Sequence, residues 1–385
     1  ICPIPMAGDL LQRHTLTSVR NGKTGRYKNI LFGLMRTWPK ALDNGWPRLL
    51  FFLLLGTFST TLVVKPEMTG YAILSLVILS MVLSLIFEHR SFCRYLCPIN
   101  TFIASHATAG KLALRKTEAS VCDECRADYC EKGSKGGYPC PYGLNVAEID
   151  DNFDCGMCTE CLKSCLYDNV TFRWRKLGSE IDTKTVSRAW TAMAMFILGT
   201  AYTITYLGPW PKIRDYVNIV DKGNWDLFAI YGITLWLVAL VIFPLLMLLV
   251  TAISKKLSGI STGLKELLIA TVGSITPLSL SIWAAFIIPM LLVNVTFIQQ
   301  ALSDPLGWGW NLFGKAGTPW IQLWPQFIPW IQVILTLLGF VYSFNNAWRI
   351  WVKLTMDKWK AVKGFLPLAS FYLVLSCIFI WFYAN

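Results

Sequence analysis

Eight of the twelve cysteines fall between positions 122 and 165. Four read DCGMCTECLKSC at 154–165, which spaces Cys155, Cys158, Cys161 and Cys165 as C-x2-C-x2-C-x3-C. The other four read CDECRADYC at 122–130 and CPYG at 140–143, which contribute Cys122, Cys125, Cys130 and Cys140. Thiolates are soft ligands that select zinc, Cu(I) and iron–sulfur clusters. Three of them at short, successive gaps can wrap one face of a metal centre from a single loop. The fourth ligand must then come from elsewhere in the fold. Disulfides are the competing use of so many cysteines, but ten of the twelve lie in or beside strongly basic segments expected to face a reducing compartment, where metal ligation is favoured.

The spacing separates the metals. Bacterial two-cluster ferredoxins use C-x2-C-x2-C-x3-C-P twice, and the fourth Cys of each run ligates the other cluster. On that pattern Cys122, Cys125, Cys130 and Cys165 are expected to hold one [4Fe–4S] cluster, and Cys155, Cys158, Cys161 and Cys140 the other. Two features depart from it. The first run is stretched to C-x2-C-x4-C-x9-C-P, and Leu166 stands where Pro usually follows the last Cys. A pair of structural zinc sites is the alternative, since four-thiolate zinc sites also use C-x2-C pairs. Three cysteines at successive two-residue gaps closed by a three-residue gap favour iron–sulfur.

A second motif, FCRYLCPIN, spaces Cys93 and Cys97 as C-x3-C with Pro98 next. Residues four apart share a helix face, so both sulfurs can point at one centre. The opening ICPIP repeats the end of that motif at Cys2 and Pro3. Cys2, Cys93 and Cys97 are therefore expected to form an additional redox centre, either another cluster or a redox disulfide. The competing reading is ordinary packing, since buried cysteine behaves as a small apolar group. Lone Cys377 has no partner in sequence and reads as packing. The opening lacks Met, and an upstream segment is expected.

These motifs resemble the NosR/NapH-type membrane polyferredoxin family: CRYLCP at 93–98, CDECRADYC at 122–130, CPYG at 140–143 and DCGMCTECLKSC at 154–165. The resemblance covers roughly residues 1–174. It implies membrane electron transfer that services a respiratory reductase or oxidase outside the cytoplasmic membrane. No flavin-attachment motif of the kind carried by NosR relatives is present, and five further apolar stretches follow the insert, where many relatives stop.

The elements that must position these cysteines are mostly membrane helices. The chain is 54% hydrophobic and 15% charged, against about 25% charged in a soluble domain. Stretches of about 20 apolar residues suit a membrane helix, and seven qualify: 46–64, 68–87, 190–207, 227–251, 267–295, 327–344 and 365–383. The fifth holds Pro277 and Pro289 and is expected to kink. Thirty of the 35 Lys and Arg fall in 9–48, 88–188, 254–266 and 345–364. That asymmetry puts these segments in the cytoplasm, and it accounts for the net charge of +12 without a nucleic-acid partner.

The expected fold class is thus a polytopic α-helical membrane protein of about seven spans with a cytoplasmic two-[4Fe–4S] ferredoxin-like insert. Its parts are a basic segment with half a C-x3-C-P motif (1–45), two spans (46–88), the C-x3-C-P motif and insert (89–188), and five spans (189–385) with an aromatic outer loop (299–326). About 100 polar residues are short for a conventional core, so cross-links or metal should hold the insert together.

The three histidines, His14, His89 and His106, all lie outside the spans, so a membrane haem held by two histidines is not expected. The span interiors lack Asp, Glu, Lys and Arg, which argues against a proton or ion pathway. The Trp- and Gly-rich stretch 303–325 suits an interfacial belt, a docking platform or the roof of a quinol pocket. The segment 347–363, AWRIWVKLTMDKWKAVK, reads as one amphipathic helix on the inner membrane surface.

The function these readings support is one-electron transfer between a quinone pool or cytoplasmic donor and a membrane or periplasmic redox partner. The expected location is a bacterial inner membrane, with lipid and respiratory-complex subunits as partners. An assembly factor that reduces a metal or thiol for a respiratory metalloenzyme, or a structural subunit of a membrane complex, is the alternative.

Overall fold

The computed structural model describes residues 2–13, 19–20, 27–28, 34, 36–134, 136–181, 183–207 and 216–384. His14 lies outside them. The chain forms two compact units, Ile1–Ala194 with Tyr216–Val241, and Met195–Asp215 with Ile242–Asn385.

Five helices among the described residues are long and apolar enough to cross a membrane: Glu67–Ile86, Trp225–Ser258, Leu264–Ser303, Pro325–Thr355 and Lys358–Ala384. Trp46–Leu62 is a shorter apolar helix. The stretch expected at 190–207 lies in the helix Val186–Tyr202 and a π-helical extension, Thr203–Leu207.

In the first unit, α1 (Met6–Arg13) packs on α3 (Pro66–Ile86), which follows α2 (Trp46–Val64) after the single residue Lys65. Pro47 and Pro66 sit in the first turns of α2 and α3, where a missing N–H costs nothing and the fixed φ favours the helix. Gly8 lets α1 approach closely, because a Cβ there would collide with Ser84 of α3. Two short helices follow, α4 (Ser91–Tyr95) and α5 (Pro98–Ala107), and α5 returns onto α2.

The cysteine-rich insert is closed at its base by a two-stranded antiparallel ribbon. Leu112–Lys116 pairs with Val170–Trp174 in the register Leu112↔Trp174 to Lys116↔Val170. Asn169 clamps the mouth of the ribbon: its carbonyl accepts from Thr117 N–H at 2.9 Å, and its side chain bonds both backbone groups of Glu118. The core inside is small, with Leu114, Val146 and Val170 buried and Cys130, Cys161 and Cys165 packed against them.

A charged clamp fixes the insert to the helix starts. Arg48, at the start of α2, and Arg188, at the start of Val186–Tyr202, lie over the Phe153 ring at 4.7 and 4.2 Å. Asp154 bonds both, at 3.3 Å to Arg48 and 2.8 Å to Arg188, and Asp151 bonds Arg188 at 2.8 Å.

The second unit is a set of apolar helices tied by buried polar contacts. The long stretch Leu264–Ser303 is interrupted by a 3-10 turn at Gly273–Ile275, just before Pro277. Proline cannot donate the next helical bond, and the following Leu278 N–H donates instead to Ser343 Oγ at 2.9 Å. The Gln332 amide donates to the Ala285 carbonyl at 3.1 Å, and Ser274 and Tyr372 hydroxyls meet at 2.7 Å. The segment 347–363 is not one surface helix. The helix Ile328–Thr355 ends at Met356, in the left-handed region, and Lys358 begins the next helix. Trp351 is fully buried against Gly364, so part of the aromatic face serves a helix corner rather than a lipid surface.

Candidate metal centres

The insert gathers its cysteines into two sets, each drawn from both runs. Cys122, Cys125, Cys130 and Cys165 line one cavity with Asn145, Val146, Asn169 and Val170. Asn169 reaches two of them: its backbone N–H points at Cys165 Sγ at 3.4 Å, and its amide at Cys122 Sγ at 3.3 Å. Cys130 contacts the Asn145 side chain at 3.4 Å. Burial pushes the Cys130 thiol up, a Val146 backbone N–H opposes this, and Cys122, Cys125 and Cys165 repel its thiolate.

The second set is Cys140, Cys155, Cys158 and Cys161. Burial pushes Cys161 up to about 12, helped by repulsion from Cys155, Cys158 and Cys140. Cys140 is pushed up to about 11, again by burial first, with Cys158 and Cys155 as repelling neighbours. The Cys140 sulfur accepts from the backbone at Leu144 and Tyr142, and Cys155 from Met157. Met157 and Thr159 adopt positive φ, 48° and 64°, and the Met157 backbone N–H points at the Cys155 sulfur. Cys161 also feels Cys130 of the first set, and both pack on one core.

Four thiols around each site, N–H groups aimed at sulfur and apolar walls are the chemistry an iron–sulfur cubane needs. Burial first, and then repulsion between neighbouring thiolates, pushes Cys130, Cys140 and Cys161 up, and bound iron would relieve that repulsion. Among the described residues, no three His, Cys, Asp or Glu side chains converge on a single-ion site.

The C-x3-C motif follows the candidate membrane helix that ends at Ile86. Cys93 is in α4, and Cys97 is the N-cap of α5, where its sulfur accepts the Asn100 N–H at 3.5 Å. Both are buried, whereas Cys2 is exposed. Cys377 is exposed in the last helix. His106 is buried; its Nδ1 contacts the Phe102 carbonyl at 2.9 Å, and burial lowers it to about 4. Sequence reasoning missed Tyr142 and the Phe153 clamp. The aromatic directly after Cys140-Pro141 was the available signal for the first, and nothing local marked the second.

A model of a 4Fe-4S binding domain matches residues 69–108. That segment holds Cys93 and Cys97 and none of the eight insert cysteines. Two uncharacterized proteins of Methanocaldococcus jannaschii are similar to part of the chain: MJ0750 is 31% identical over 103 residues, and MJ0749 is 29% identical over 107. These alignments cover 26% and 28% of this chain, and the chain spans 39% of the length of each relative. No solved structure matches the chain. Neither the domain match nor the relatives name the NosR/NapH-type family. Among the described residues the protein is mostly helical, with five candidate membrane-spanning helices and a segment, 69–108, that matches a 4Fe-4S binding domain.

Proposed function

We propose that the chain is a membrane-bound iron–sulfur electron carrier whose insert holds two [4Fe–4S] clusters. The observation that carries this is the interleaving of the cysteine runs: Cys165 stands with Cys122, Cys125 and Cys130, while Cys140 stands with Cys155, Cys158 and Cys161. When bound, the clusters take and give single electrons. The chain supplies their thiolates, N–H groups that stabilise charge on sulfur, and a shared core that brings Cys130 and Cys161 together.

The electrons pass between a quinone or a cytoplasmic donor and a redox partner in or beyond the membrane. An apolar cavity of about 470 Å³ beside α2 supports quinone as one acceptor. Phe51, Phe58, Met68 and Trp225 line it, and the Thr61 hydroxyl in its wall has no hydrogen-bond partner among the described residues. Exposed Trp308 and Trp320 in the 303–325 stretch suit docking to a partner subunit. The charge asymmetry supports a cytoplasmic insert.

Paired serine variants test the ligand sets. Cys122→Ser with Cys165→Ser removes two ligands of one cluster and should lower insert iron to about four per chain. Cys155→Ser with Cys165→Ser takes one ligand from each and should damage both clusters. The reverse pattern, with both clusters damaged by the Cys122/Cys165 pair and one by the Cys155/Cys165 pair, would mean each run holds its own metal, and unchanged iron in both variants would refute the reading.

A further inference from the structure

We propose that Cys2, Cys93 and Cys97 are ligands of a third iron–sulfur cluster at the membrane edge, packed against the Cys140 site through Tyr142. This deepens the electron-carrier reading, and it rests on that reading only for its role, not for its existence.

Four separate chain segments are fastened together at this point. The α1 helix docks on α3 through Gly8 and Ser84, which delivers Cys2 from the residues just before it. Asp9 of α1 takes both Nε and Nη2 of Arg90, with Nε at 2.9 and 3.0 Å from the two carboxylate oxygens. The Arg90 backbone N–H donates to the Pro141 carbonyl at 2.7 Å, and Arg94 donates to the Tyr142 carbonyl. The insert loop after Cys140 is thus bolted to the helix that carries Cys93. Cys93 stands in the field of Cys97 and of Cys2, and Cys97 also in that of Cys2.

The local backbone is shaped for sulfur. Helix α4 stops at Leu96, and Pro98 opens α5, so Cys97 sits at a helix N-terminus with N–H groups of Ile99 and Asn100 directed at it. A helix N-terminus favours a thiolate. The Asn100 side chain closes the loop by donating to the Cys93 carbonyl at 2.8 Å. Simple packing explains neither the guanidinium–carboxylate pair beside a buried thiol nor the approach of a third thiol, Cys2, from the residues before α1. The 4Fe-4S domain match falls on this segment rather than on the insert. Three thiolates hold three corners of a cubane, and the fourth iron takes a ligand other than these three.

Tyr142 joins this site to the insert. It is buried in one core with Ile4, Phe92, Cys93 and Cys97, with Cys140 packed on the same core. Its phenol is hydrogen-bonded to Arg90 and stands in the field of both Cys93 and Cys158. Gly156, next to Cys155, is held to glycine by the ring, since a Cβ would lie 2.5 Å from Tyr142 Cε2. Tyr142 is therefore a positioning residue between two thiol sets.

The test uses the full chain purified anaerobically in detergent, with iron, zinc, acid-labile sulfide and low-temperature EPR of the reduced protein as readouts. The wild type should hold about twelve iron per chain, as three cubanes. Cys93→Ser with Cys97→Ser should remove about four and one spin system, leaving both insert signals. Cys2→Ser, at an exposed position, should weaken the same signal without disturbing the core. A wild type with about eight iron, unchanged in the Cys93/Cys97 variant, would overturn the third site while leaving the insert clusters standing. Zinc lost in place of iron would overturn it as well. If instead the Cys122/Cys165 variant left all iron in place, the insert reading would fail on its own.

Discussion

Asp154→Ala should cost the first unit about 3 kcal/mol. The carboxylate bonds Arg188 at 2.8 Å and Arg48 at 3.3 Å, and the side chains of Asp154 and Arg48 are 28% and 7% exposed. A hydrogen bond to a charged group contributes about 1.5–3 kcal/mol. Removing one partner of a buried pair costs about 3–5 kcal/mol, because the other charge is left without compensation. The long Arg48 bond and the partly exposed Asp154 place the loss near the low end. Arg188 keeps Asp151, whereas Arg48 keeps the Arg94 carbonyl at 3.1 Å and loses its carboxylate. At ~2–4 °C per kcal/mol for a unit of this size, the melting midpoint should fall by about 6–12 °C. Asp154→Asn retains an acceptor and should fall by roughly half as much. Thermal scans of the purified protein, read by Trp fluorescence and by cluster absorbance, measure both. Because Cys155 follows directly, absorbance from the Cys140 site should fade with the unfolding signal. A midpoint within about 2 °C of the wild type would refute the claim that this carboxylate anchors the insert.

Other expectations are as direct. His106 is held neutral by burial, with its value lowered from 6.5 to about 4, so its stabilisation is complete above the unfolded value and is lost as pH falls from about 6.5 toward about 4. The loss reaches about 2 kcal/mol at pH 5, and His106→Gln should melt with a shallower dependence between pH 7 and 5. Gly364→Ala forces a methyl into the Trp351 ring and should destabilise by about 1–3 kcal/mol, read as a lower midpoint in detergent. Asn169→Ala removes the Glu118 clamp and the amide contact with Cys122; redox titration should show the potential of the Cys122 site falling, since N–H groups on sulfur stabilise the reduced state, with the Cys140 site unchanged. Cys377→Ser should leave iron content at the wild-type value.

The grouping of the insert cysteines was legible because ligand spacing is a local constraint. Two- and three-residue gaps fold into loops whatever surrounds them, and the crossing of Cys165 and Cys140 follows from the reach of three neighbouring thiolates. The clamp at Phe153 was not legible, because Arg48 and Arg188 are 140 residues apart in sequence and only the closed ribbon brings their helix starts together. Five candidate membrane-spanning helices announced themselves by composition, but their breaks did not. The periodicity of 347–363 is helical on both sides of Met356, so a pattern argument ran straight through a corner that tertiary packing of Trp351 on Gly364 creates. Pro277 did signal its interruption, since a missing donor is a property of the residue itself.

The central claim is that the insert folds around iron cubanes held by eight thiolates. Iron and acid-labile sulfide measured together on anaerobically purified protein test it most directly. The account predicts at least about eight of each per chain, with a spin-coupled EPR spectrum on reduction. Protein that binds zinc, or no metal, and gives no such spectrum would contradict it.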